Sequence, residues 1–175
     1  MLTLVNKDII YDRNGFSNRN GIELLGISVQ LSNRKWLTLN NYYIPPDDPI
    51  DLSWIPLDPD SVHAGDFNGH TQLWDHIQPT DDRGEQILDW MLENNLTCLN
   101  DGTPTRINRG TGGLSTSDIT LVSDSLKNKV KWSVISETTM GADHSPIVCD
   151  IKTDGIQTIS NTPMRTCWKS QNINW

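Results

Sequence analysis

At 175 residues the chain has the length of a single domain, and a globule of that size can bury a sizeable core. No apolar run approaches the roughly 18 residues of a membrane span, and no secretory leader is evident. Three widely spaced cysteines (Cys98, Cys149, Cys167) form no CxxC pair, so an intracellular protein with reduced thiols and no zinc site is expected. The net charge of −8 argues against a nucleic-acid partner until its distribution is read: residues 47–101 hold thirteen acidic side chains and one basic, Arg83, whereas 103–135 hold five basic and two acidic. That segregation predicts an acidic rim and a mildly basic strip.

Met1-Leu2-Thr3-Leu4-Val5 reads as a strand. Gly26 to Leu31 alternates apolar with small or polar residues, the period-two signature of a half-buried strand. Ser32 to Lys35 turns the chain, and Trp36 to Tyr43 reads as its antiparallel return. Pro45-Pro46 closes that strand, because proline cannot donate to a ladder. Residues 47–61 form an aperiodic loop, and Ser61 to Asp66 a short buried strand. A helix starts at Asp82, predicted to cap it, with Glu85 in the capping-box position. Ile87, Leu88, Met91 and Leu92 form its apolar stripe, and Asn94-Asn95 ends it. Strands follow at 96–99, 118–122, 130–135 and 146–151, with Val130, Trp132 and Val134 sharing a face. From Thr153 the periodicity is lost. Mostly strands with one good helix predicts an α/β or α+β sandwich.

Three clusters carry chemistry, each at a strand end. In Gly65-Asp66-Phe67-Asn68-Gly69-His70 a carboxylate can orient or deprotonate water while the amide donates to an anionic oxygen. A plain turn is the ordinary alternative. A calcium loop fails, because position six from Asp66 is Thr71 and position twelve is Ile77. Ser115-Thr116-Ser117-Asp118 puts an acid at a strand start, where a cap is the usual role. Asp143-His144 enters the last strand and could be an ordinary loop pair. Taken in order, the set supplies Asp, Asn, Asp, Asp and His, suited to a hard divalent cation and a phosphate.

The motifs GDFNGH, LNDGTPTR, STSDITLVS and GADHSPI, with the Tyr42-Tyr43-Ile44-Pro45-Pro46 strand end, resemble the endonuclease/exonuclease/phosphatase superfamily. More narrowly they resemble the apurinic-type endonuclease domain of non-LTR retrotransposons, over residues 1–152. The tail, 153–175 with Trp168 and Trp175, is similar to the segment leading to a reverse transcriptase. The resemblance implies a two-sheet sandwich flanked by helices and Mg²⁺-dependent (or Mn²⁺-dependent) DNA nicking, which leaves a 3′-hydroxyl for reverse transcription in the nucleus. Carried over, Asp66 activates water, Asn68 holds water and phosphate, and Asp118 pairs with His144, which stabilises the transition state. Asp143 joins the water-activating or metal set with Asp66, and the Tyr43 hydroxyl reaches a phosphate oxygen. Two departures stand out. Ala142 replaces the family's Ser. The catalytic Asn and metal-binding Glu of the opening strands have no counterpart, and Glu23 lies outside the matching context. The chain therefore reads as lacking those opening strands and is expected to be inactive by itself. A non-catalytic retroelement remnant with residual nucleic-acid affinity is the alternative, ahead of a small-phosphoester phosphatase of the same superfamily.

Overall fold

The computed structural model describes residues 1–46, 49–136, 141–153 and 155–158. Cys167, Trp168 and Trp175 lie outside the described residues, and with them the tail's likeness to a reverse-transcriptase linker.

The strands are β1 (Tyr11–Arg19), β2 (Ile22–Gln30), β3 (Trp36–Tyr43), β4 (Ser61–Asp66), β5 (Leu96–Cys98), β6 (Arg106–Ile107), β7 (Leu114–Ser115), β8 (Asp118–Ser123), β9 (Val130–Val134) and β10 (Ile147–Ile151), with helix α1 (Asp82–Glu93) between β4 and β5. A six-stranded sheet runs β1-β2-β3-β4-β8-β5, and β9 pairs with β10 in a second sheet. All contacts in the large sheet are antiparallel except β3 with β4. That parallel step needs a crossover, which the aperiodic 44–60 segment makes.

Alternation decides the two faces of the large sheet. On one, Leu24, Tyr42, Ile119 and Leu121 join Phe67, Trp74 and the α1 side chains Ile87, Trp90 and Met91 in a buried cluster. On the other, Ile27, Val29, Leu37, Val62 and Val122 form a second cluster against Val130 of β9 and Ile151 of β10. The result is a two-sheet sandwich with one α-helix covering it among the described residues. Lys131 and Ser133 point to solvent between half-buried Val130, Trp132 and Val134, as their alternation requires.

Several local features differ from the sequence reading. Met1–Val5 forms no strand; Thr3 and Val5 turn inward while Leu2 and Leu4 stay exposed, and the segment finds no ladder. The nine residues of β1 are all exposed, so neither face carries the apolar alternation that announces a strand. The helix is capped by Asp81, not Asp82: its backbone is extended and its carboxylate accepts from the Gly84 amide at 2.6 Å. On α1 the buried stripe is Gly84, Ile87, Trp90 and Met91, spaced three and four apart, whereas Leu92 rotates out and is 61% exposed. Beyond β10 the chain returns to the domain, with Ile156 bridged to Leu31 and Thr158 to Ile9.

Candidate active site

Register builds the site. Glu23 pairs with Tyr43, Tyr43 with Asp66, and Asp66 with Asp118. Directly paired residues share a face, so these four side chains make one row across β2, β3, β4 and β8. The row ends at His144, whose Nδ1 lies 2.7 Å from Asp118 Oδ2. Because a carboxylate only accepts, Nδ1 carries the proton and Nε2 is left for a substrate.

Asp66 sits beside a like charge. Burial first, and then Asp118, push its carboxyl above the ordinary value, while His144 and the Asn68 amide, 3.3 Å from Oδ1, partly offset them. Asn68 takes a left-handed backbone, φ 48°, and its Nδ2 donates to the Ile44 carbonyl at 3.0 Å. That pins the loop to the end of β3. Gly65 permits the turn into it: φ is +152°, and an added Cβ would stand 2.1 Å from the Tyr42 carbonyl oxygen.

Tyr43 is 40% exposed beside Asp66. Asp143 stands at the mouth, accepting from Arg106 Nε at 3.4 Å, with its backbone carbonyl held by the Ile107 amide. Its own backbone amide first, then His144 and Arg106, hold its carboxyl below the ordinary value. Thus Asp66, Asn68, Asp118 and His144 converge, Tyr43 flanks them, and Asp143 faces Arg106 at the rim.

A supporting layer escaped the sequence reading. Asn100 clamps the start of β8, donating to the Asp118 carbonyl at 2.9 Å and accepting from the Thr120 amide at 2.8 Å. Thr105 Oγ1 accepts from the Asp118 amide, and its carbonyl takes the Ser145 amide beside His144. Both belong to the LNDGTPTR motif, which was legible as a motif but not as a clamp. Asp75, fully buried, accepts from the Thr116, Ile77 and Gln78 amides and meets His70 Nδ1 at 2.9 Å. It ties the loop after Asn68 to the segment entering β8. Glu23, set aside on sequence context, joins the row through register alone.

No three His, Cys, Asp or Glu side chains among the described residues stand close enough to hold a metal ion. Asp66 and Asp118 offer adjacent carboxylates, but Tyr43 separates Glu23 from them and Arg106 engages Asp143. The residues present do not by themselves make a cation centre.

Comparison with known proteins supplies the family. The family model described as endonuclease-reverse transcriptase matches residues 37–148, well over half of the chain and every residue of the convergent set. The chain belongs to this family. Among solved structures, the endonuclease domain of TRAS1, a telomere-specific non-LTR retrotransposon, superposes with a TM-score of 0.66 at 24% identity, over 75% of this chain and 62% of that one. The likeness establishes the sandwich of the endonuclease–reverse transcriptase family as the fold. The chain spans less than two thirds of that structure's length. No curated protein matches. Endonucleases of this superfamily generally use divalent cations, a requirement that the donors of this cleft meet only in part.

Proposed function

We propose that this domain hydrolyses phosphodiester bonds of DNA, nicking one strand to leave a 3′-hydroxyl. The observation that carries the reading is the Asp118–His144 pair, 2.7 Å apart, with Asp118 directly opposite Asp66 on the neighbouring strand. Asp66, with its affinity for a proton raised, takes one from water as the water oxygen bonds to phosphorus. Asn68 orients that water and a phosphoryl oxygen. His144, held by Asp118 at Nδ1, acts in its doubly protonated form, donating from Nε2 to the phosphate and steadying the charge that develops as the bond to the 3′-oxygen breaks. A proton from solvent then reaches that oxygen, and Asp66 returns its own to solvent. Tyr43 reaches a non-bridging oxygen. The family supports a DNA substrate, and the reading adds a covalently linked reverse transcriptase and work on chromosomal DNA in the nucleus.

On its own this chain is a feeble nuclease. Fixed charges aimed at a transition state are commonly worth about 10²–10³-fold each, and the cation half of such a site is not formed by the described residues. The same observation favours a second reading, a non-catalytic nucleic-acid binder. Plasmid relaxation at excess protein in Mg²⁺ or Mn²⁺ separates them. Slow nicking that disappears in both Asp66→Asn and His144→Ala supports the nuclease. No nicking at all supports the binder. Fast nicking abolished by His144→Ala would show that the residues present suffice, and fast nicking indifferent to it would remove the site from the account.

A further inference from the structure

Beside the catalytic row lies a hollow of about 190 Å³ that the reaction does not use, bordered by His70, Gln78, Arg106, Asn108, Thr111 and Ser115. It lies between the loop that follows Asn68 and the β6–β7 hairpin. The hairpin is anchored to the catalytic centre, since Arg106 bridges to His144 and its Nε reaches Asp143.

The lining is rich in donors left over from the protein's own bonding. Asn108 engages the Gly110 and Thr111 amides through Oδ1, at 2.9 and 3.1 Å, which leaves Nδ2 without a partner among the described residues. His70 commits its Nδ1 proton to Asp75, so its Nε2 joins these donors only in the doubly protonated ring. Arg106 commits Nε and keeps its two terminal nitrogens. Asp75 lies beneath His70 with its oxygens already taken by four donors, and Asp143 is occupied by Arg106. Donors with no competing free carboxylate on the lining suit an anion.

Position narrows the anion. His70 is two residues from Asn68, within about 7 Å along the chain. The next phosphate of a strand whose scissile group sits at Asn68 and His144 falls within that reach. We propose that this hollow is a second phosphodiester subsite, holding the phosphate next to the one cleaved. The inference rests on the nuclease reading and deepens it: the substrate is a polynucleotide, because a small phosphoester would leave the hollow empty.

The test reads binding and needs no turnover. Asn108→Asp keeps the acceptor that holds Gly110 and Thr111 and replaces the free donor with a charged oxygen. Asn128→Asp makes the same charge change at an exposed turn away from the site. Fluorescence anisotropy with a short DNA duplex in EDTA is expected to show Asn108→Asp weakened by about tenfold to a hundredfold, the range for a lost hydrogen bond to a charged group. Asn128→Asp should lose less than about twofold, and melting temperatures should match wild type. Equal weakening in both variants, or none in Asn108→Asp, would overturn the subsite. The nuclease reading stands or falls separately, on whether nicking depends on His144.

Discussion

Asp75→Asn is the sharpest perturbation of this architecture, because it changes one atom of a fully buried hub. The carboxylate takes the Thr116 amide at 2.8 Å and His70 Nδ1 at 2.9 Å on Oδ2, and the Ile77 and Gln78 amides at 2.9 and 3.0 Å on Oδ1. An amide keeps one oxygen. With that oxygen kept on the Ile77 and Gln78 amides, its NH₂ confronts the Thr116 amide, which then has no acceptor, while His70 can accept from it by moving the ring proton to Nε2. One buried unsatisfied group costs about 1–3 kcal/mol, and that is the expected loss. Against a total of about 5–15 kcal/mol this is a measurable fraction. Urea unfolding followed by tryptophan fluorescence, with Trp74 fully buried as a reporter, measures it. His70→Ala, which removes one of the four donors, should cost less and keeps the test open if Asp75→Asn does not fold.

Acid provides a check on sign. Burial by itself pushes the Asp75 carboxyl up, but the Thr116, Gln78 and Ile77 amides and the His70 ring outweigh it and hold it below the ordinary value. The folded pKa is thus lower than the unfolded one. The contribution is present above the unfolded value, about 3.9, and is lost as pH falls through the folded one. The gap between wild type and Asp75→Asn should narrow in strong acid. A shift under about 1 kcal/mol at neutral pH would refute the hub.

Three further outcomes are expected. His63 is fully buried, with Nδ1 2.8 Å from the Tyr42 hydroxyl and Nε2 3.1 Å from Ser61 Oγ, and burial lowers its pKa to about 4. Its folded pKa is below the unfolded one, so about 3 kcal/mol of stability should drain away between neutral pH and pH of about 4; His63→Gln should flatten that part of the profile, and an unchanged slope would exclude His63 as its source. Gly65→Ala should unfold the domain or displace Asp66, since Cβ meets the Tyr42 backbone within 2.1 Å; a wild-type melting temperature would contradict the close approach. Mg²⁺ binding by calorimetry should be weak and vanish in Asp66→Ala, because only the Asp66–Asp118 pair offers adjacent carboxylates among the described residues of the cleft; tight binding, or weak binding unaffected by the variant, would mean that the cation is held elsewhere.

Features confined to a few neighbouring residues were legible in the sequence. The alternation of β2, β3 and β9, the stop at Pro45-Pro46 and the existence of α1 follow from side-chain period and backbone chemistry. The motifs around Asp66, Asn68, Asp118 and His144 are likewise local, which is why the family could be read from them. β1 was illegible because a strand exposed on both faces has no apolar period to display. The cap of α1 was misplaced by one residue, because Asp81 and Asp82 offer the same side chain and only backbone geometry chooses between them, and of the four stripe residues Leu92 alone turned outward.

Tertiary structure alone decided the row. Glu23, Tyr43, Asp66 and Asp118 become neighbours through one parallel and two antiparallel pairings, the last spanning residues 66 to 118. A slip of one residue in any of them would send its side chains to the opposite face. What holds the register is burial on both faces of the sheet, together with distant clamps such as Asn100 on β8 and Asp75 on Thr116. Those contacts join residues far apart in the chain, and no local period encodes them.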